Sequence, residues 1–316
     1  MQKNMSSQIQ TLHTVTEYTR FYGLPAPAHP LLTLIDLGAA NRLAVASAGQ
    51  SINQPIVPQL YTIFIKRNLK GLLYYGHRPY DFSEGVMGFS TPGQVFRVDE
   101  SLDTSGVTGW MLVFHPDLLR KYPLGKKIGH YGFFSYTVHE ALHLAEREET
   151  LLDRLLDNLR DECERPIDAF SQDVLVGQIE LLLTYADRFY HRQFFTRRTV
   201  EHDRNEGSLL SQFETALTGY FAQDAELPLP SVQFFADALN VSPAYLSDML
   251  RILTGQNTQQ HIHQALIEKA KQRLLTTSLT INELAFQLGF EYPQYFSRLF
   301  KQKTGLSPVA FRFSAQ

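Results

Sequence analysis

Two stretches near the C-terminus repeat one another, and this repeat constrains the fold more than any other feature of the chain. FFADALNVSPAYLSDMLRILTG, from Phe234, aligns with ELAFQLGFEYPQYFSRLFKQKTG, from Glu283. Ala236 and Leu239 match Ala285 and Leu288 at an offset of 49, whereas Pro243, Ser247 and Gly255 match Pro293, Ser297 and Gly305 at 50, so the second turn holds one extra residue. In the second copy Ile281, Leu284, Ala285 and Leu288 follow helical spacing. Gly289 then breaks the helix, and Tyr295, Phe296, Leu299 and Phe300 share one face of a second helix. In the first copy Asn240 stands at the Gly289 position, where a positive φ is needed, and Ser242-Pro243 is an N-cap followed by proline at the first helical position. Helix, tight turn, helix is the helix-turn-helix layout, whose second helix enters the DNA major groove. Between the copies, about Gln259 to Leu275, an Ala-, Leu- and Gln-rich helix sets the separation of the two.

Charge is distributed to match. The whole chain carries a net charge of −3, but from Gln264 onward seven basic residues face three acidic ones. Phosphate attraction is therefore concentrated at the end of the chain. The single cysteine, Cys163, excludes an internal disulfide and suits a reducing cytoplasm, and its acidic neighbours Glu162 and Glu164 make it a poor redox sensor. The N-terminal residues lack the apolar core of a secretion signal, and no run is long and apolar enough for a membrane helix. A cytoplasmic location without membrane contact is expected.

The first 115 or so residues read as short strands from Leu31, Leu60, Leu72, Gly85 and Gly109, a β-sandwich or barrel. A long helix is expected to start near Thr137, with Thr137 and Glu140 as its capping box and Leu151, Leu152, Leu155, Leu156 and Leu159 as an apolar stripe. A second helical run covers Val174 to Phe195. These helices would pack on the β domain, pair with a second subunit, or both. Charged, aperiodic residues 196–207 read as a linker, which divides the chain into 1–195 and 208–316. The fold class is α+β: an N-terminal β-barrel or sandwich with trailing helices, then an all-α domain with two helix-turn-helix units.

Two other constellations carry chemistry. His139-Glu140-Ala141-Leu142-His143 matches HExxH, which on a helix places two histidines at one zinc ion with Glu162 as a conceivable third ligand. The capping box gives Glu140 a structural duty instead, so no metal site and no cofactor is expected. A cupin metal centre would need a His-x-His pair, and His77 and His115 stand apart. Aromatics such as Tyr61, Phe64, Tyr80, Phe82, Phe89 and Trp110 are core residues or the lining of a small-molecule effector pocket.

Ala285-x-x-Leu288-Gly289-Phe290, then Tyr295-Phe296-Ser297-Arg298-x-Phe300-Lys301, then Gly305-x-Ser307-Pro308-x-x-x-Arg312 resemble the DNA-binding domain of the AraC/XylS family of bacterial transcription regulators. The first two thirds resemble, more loosely, the cupin-like sensor and dimerisation domain of such regulators. The resemblance implies a non-enzymatic, sequence-specific activator that binds double-stranded promoter DNA as a homodimer, with a possible effector and a possible RNA polymerase contact. It places DNA-reading positions at Ala244, Ser247, Asp248 and Arg251 on the first recognition helix and at Gln294, Ser297, Arg298 and Lys301 on the second. Gln294 suits adenine and Arg298 suits guanine. Two readings from other classes stay open: a metal-dependent enzyme, and an interaction adaptor without DNA binding, which the eight basic against eight acidic residues of 208–316 would suit.

Overall fold

Four of the five expected strands join one antiparallel sheet. The computed structural model describes residues 9–46, 55–68, 74–75, 78–79, 85–96, 106–136, 140–203, 209–223 and 228–314. They fall into two compact units, Met1–Gln193 and Phe194–Gln316.

The first unit begins with β1 (Gln10–Leu12), α1 (Val15–Phe21), β2 (Leu32–Asp36), α2 (Leu37–Ala46), β3 (Ile56–Pro58) and β4 (Tyr61–Arg67). Two short pieces, β5 (Tyr74–Tyr75) and β6 (Arg78–Pro79), precede β7 (Val86–Ser90) and β8 (Thr108–Phe114). A one-turn helix, α3 (Leu124–Lys127), a 3₁₀ turn at Gly132–Ser135, β9 (Leu142–His143), α4 (Glu146–Glu164) and α5 (Ser171–Asp203) follow, α5 belonging to this unit as far as Gln193. The sheet order is β2-β8-β4-β7-β9, with Ile63 opposite both Leu112 and Phe89. The sheet is open: among the described residues no strand closes it into a barrel, contrary to the barrel alternative. Tyr80, Phe82, His77 and the rest of the run from Leu72, apart from the backbone of β5, lie outside the described residues.

Period-two alternation gives the sheet two buried faces. On one, Ile35 and Val113 pack with Leu12, Val15, Tyr18, Ile56 and Leu60. On the other, Phe89 meets Phe133, Phe134 and Tyr190 at ring distances of 4.4, 5.3 and 6.3 Å, and Tyr61 stacks on Phe114 at 5.3 Å. Phe89 and Trp110 are therefore core. Gly109 sits at φ 112°, and a Cβ there would run into the Ile65 carbonyl oxygen of the neighbouring strand. Only glycine serves at that position.

The long helix begins at Glu146, not near Thr137. Residues 142–143 instead extend the sheet as β9, opposite Val86 and Met87, and Leu144 donates to the Gly85 carbonyl at 3.1 Å. Strand pairing satisfies this backbone and buries Leu142 and Leu144, which outweighs the local capping signal. The actual cap uses Glu148, whose carboxylate accepts from the Ala145 N–H at 3.0 Å. The leucines of α4 (Leu152, Leu155, Leu156, Leu159) and the stripe of α5 (Ile179, Leu182, Leu183, Ala186, Tyr190) are buried inside this unit. Arg67 pins α4 to β4, donating to Glu149 at 2.7 Å and to Asp153 at 2.8 Å.

The backbone of 196–203, expected as linker, continues α5. Absence of an apolar stripe is not absence of helix, because Arg and Glu have high intrinsic helix propensity. The second unit contains α6 (Leu209–Ala222), α7 (Val232–Ala238), α8 (Pro243–Thr254), α9 (Thr258–Thr276), α10 (Ile281–Gln287), α11 (Pro293–Thr304) and α12 (Pro308–Ser314). A core cluster there joins Leu266, Ile267, Ala270 and Leu274 of α9 to Leu284, Ala285, Leu288, Phe290, Phe296 and Phe300.

Candidate nucleic-acid interface

Each copy of the repeat folds as a helix-turn-helix, α7–α8 and α10–α11. Both first helices end the same way. The N–H of Val241 donates to the Ala236 carbonyl at 3.0 Å, and that of Phe290 to the Ala285 carbonyl at 3.0 Å. This closure needs one residue in the left-handed region, filled by Asn240 (φ 55°) and Gly289 (φ 84°). The recognition helices then start at N-caps Ser242 and Tyr292, so the extra residue is Glu291. Ser242 Oγ accepts from the Tyr245 N–H at 3.2 Å, while Tyr292 makes no side-chain cap. Gly255 (φ 78°) and Gly305 (φ 80°) end both helices. Between the copies, the 19 residues of α9 make a rod about 28 Å long at 1.5 Å per residue. Arg312 closes the domain, its Nε donating to the Leu274 carbonyl at the end of α9 at 3.1 Å.

Ala244, Asp248 and Arg251 recur at i, i+4, i+7 on α8, as do Gln294, Arg298 and Lys301 on α11, so each set lies along one helix face. The opposite faces are core: Tyr245, Leu246, Met249 and Leu250 on α8, Phe296 and Phe300 on α11. The two outer faces differ chemically. On α8, Ser247 Oγ is 3.1 Å from Thr258 Oγ1, and the Asp248 carboxylate accepts from Arg251 at 2.7 Å. On α11, Gln294, Arg298 and Lys301 are exposed and Ser297 is half-buried.

The other cations of this unit are occupied. Lys269 donates to the Gln223 carbonyl at 2.8 Å, Lys271 pairs with Glu268 at 2.8 Å, and Arg273 reaches Gln287 at 3.3 Å. With Arg251 and Arg312 also engaged, Arg298, Lys301 and Lys303 are the lysines and arginines of 209–314 that make neither an ion pair nor a side-chain hydrogen bond among the described residues. All three are on α11. That helix concentrates the unspent positive charge of the domain, as a phosphate-facing surface requires.

Two exposed aromatics of α11 escaped the sequence pattern. Tyr295, expected on the apolar face, is 59% exposed, and Tyr292 is 54% exposed. Their rings meet edge to face at 5.8 Å. The one-residue insertion in the second turn was the only signal that the two copies need not bury their tyrosines alike.

HExxH does not form the helical pair that zinc chemistry uses. His143 is on β9, its N–H bonded to Gln193 Oε1 at 2.8 Å, and Glu140 is buried; His139 lies outside the described residues. Burial, then the charge of Arg192, pushes the His143 imidazole down to about 4. His115 caps a short 3₁₀ turn, accepting from the Asp117 N–H at 3.1 Å. Burial, then Glu162 and Glu164, raises the Cys163 thiol to about 11.

Comparison with known proteins places a match over residues 235–313, which take in both helix-turn-helix copies, to a family described as a helix-turn-helix domain. The uncharacterized transcriptional regulatory protein YesN of Bacillus subtilis (strain 168) is 36% identical over 78 residues, 24% of this chain and 21% of that protein. The HTH-type transcriptional activator RhaR of Salmonella arizonae is 32% identical over 105 residues, 33% of this chain and 36% of that protein. The chain thus spans well under half the length of either. Among solved structures, the C-terminal domain of AraT, a response regulator from Geobacillus stearothermophilus, is 32% identical, covers 34% of this chain and 84% of that one, and has a TM-score of 0.30.

Proposed function

We propose, from the premise that residues 235–313 form an AraC-type helix-turn-helix domain, that this protein is a sequence-specific DNA-binding transcription regulator. The observation that carries this is the pair of recognition helices presenting matching i, i+4, i+7 faces, one of which holds Arg298 and Lys301 exposed. Gln294 and Arg298 read base edges from α11, and Lys301 holds a phosphate. On α8, Ser247 is committed to Thr258 and Arg251 to Asp248. That helix contributes position and shape more than base contacts, with Ala244 allowing close approach.

The first unit, whose open sheet is of cupin-like kind in this reading, supplies the signal: a small-molecule effector, dimerisation, or both. The stripes of α4 and α5 are consumed in its own core. A homodimer therefore forms along the exposed line of Phe170, just before α5, with Val174 and Leu181 on it. The protein acts in the cytoplasm on promoter DNA, as an activator that touches RNA polymerase, and without enzymatic chemistry. Among the described residues no helix is long and apolar enough to cross a membrane.

The test is selection of binding sites from genomic DNA by the purified full-length chain. Enrichment of a bipartite site with half-sites about one helical turn apart is expected. Failure to enrich any sequence at low salt would leave the adaptor reading in its place.

A further inference from the structure

The tyrosine pair at the start of α11 has no structural duty that accounts for it. Tyr292 occupies the N-cap, where Ser, Thr, Asp or Asn would each bond a free N–H and where a residue without a capping oxygen costs helix stability. Tyr295 has an exact counterpart in the repeat, Tyr245. Yet Tyr245 is 2% exposed, with Phe194 against it at 5.0 Å, whereas Tyr295 is 59% exposed. Two large aromatic rings in contact with one another, both turned to water, form a small apolar surface. That surface lies on the outer side of α11. Tyr295 follows Gln294 directly and is three residues before Arg298, and residues three apart on a helix are side-by-side neighbours. It also lies in the first turn, the part of a recognition helix that reaches base edges.

In the major groove the one apolar group a base offers is the thymine C5-methyl. We propose that Tyr295 is a specificity-determining residue that packs its ring on a thymine methyl beside the bases taken by Gln294 and Arg298, with Tyr292 bracing the ring from behind. This rests on the DNA-binding reading above. It predicts that the α11 half-site carries a thymine recognised through its methyl group rather than through O4.

The test uses the full-length chain, the duplex it selects, and copies of that duplex in which each dT in turn is replaced by dU, which removes only the methyl. One replacement should weaken binding of the unaltered chain about fourfold, the worth of one buried methyl or methylene group. Tyr295→Phe should show the same loss at the same position. Tyr295→Ala should bind the dT and dU duplexes equally, and sites selected by it should lose the preference at that position. If Tyr295→Ala loses helical content, Tyr295→Gln takes its place. The proposal is overturned if no dU position loses its effect in the variant, or if the thymine preference survives. A chain that selects no sequence at all would overturn the regulator reading itself, which is a different result from a selective chain indifferent to Tyr295.

Discussion

Replacing Asp248 by alanine tests the division of labour between the two recognition helices. The Asp248–Arg251 pair is 2.7 Å long and open to water, with Arg251 56% exposed and Asp248 21%. Such i,i+3 pairs contribute a few tenths of a kcal/mol (roughly 0.2–0.5), and alanine regains about as much in helix propensity. Folding stability should hardly move. DNA binding should, because the substitution removes a negative charge from the outer face of α8 and releases Arg251 for a phosphate. One added phosphate contact steepens the salt dependence of log K by about 0.9, which between 1 M and 0.15 M salt amounts to about fivefold in affinity, or roughly 1 kcal/mol. Fluorescence anisotropy with the selected duplex across a salt series measures both quantities. A fivefold tighter, more salt-sensitive complex is expected. A loss of tenfold or more confined to sites with cytosine at one position would refute the reasoning, because Asp248 would then be accepting from cytosine N4.

Arg298→Ala should cost about 1–3 kcal/mol and relax specificity at one base pair, read by repeating the site selection; an unchanged motif would remove α11 as the principal reader. The imidazole of His143, held down to about 4 against 6.5 in the unfolded chain, is neutral in the folded state near neutral pH. Between these values the unfolded chain binds the extra proton, so stability falls as pH drops through that window. From pH 7 to pH 5 the loss is at most about 2 kcal/mol, since solvent reaches part of the ring. Urea unfolding at the two pH values should show it in the unaltered chain and not in His143→Gln. Gly109→Ala forces a Cβ against the Ile65 carbonyl at positive φ, and should destabilise the first unit by roughly 2–3 kcal/mol or more. Thermal unfolding of a variant matching the unaltered chain would contradict the need for glycine there.

Local signals gave the second unit almost completely. Asn240, Gly289, Ser242 and the terminal glycines are positions where backbone geometry admits few residue types, so their spacing announces turns and caps without help from distant parts of the chain. The same kind of signal stands at α1, where Thr14 Oγ1 accepts from the Glu17 N–H at 3.1 Å and Glu17 accepts from the His13 N–H at 2.7 Å. At Thr137 a signal of that form was misleading. A capping box stabilises by about 1 kcal/mol, and pairing with β7 together with burial of Leu142 and Leu144 exceeds that. α5 runs on past Phe195 to Asp203: periodicity reports a buried stripe, and the helix outlasts its stripe.

By itself the sequence determined the duplicated helix-turn-helix and its one-residue difference between turns. These follow from spacing along a helix, which is local. Tertiary structure decided what the side chains of the two recognition helices are free to do. It tied Ser247 to Thr258, spent five of the eight cations of this domain on carbonyls, an amide and carboxylates, and left Arg298, Lys301 and Lys303 on α11. It also buried Tyr245 while exposing Tyr295, two tyrosines at the same place in the repeat. Periodicity says which side chains share a face; only the neighbours that arrive from elsewhere in the chain say whether that face is covered.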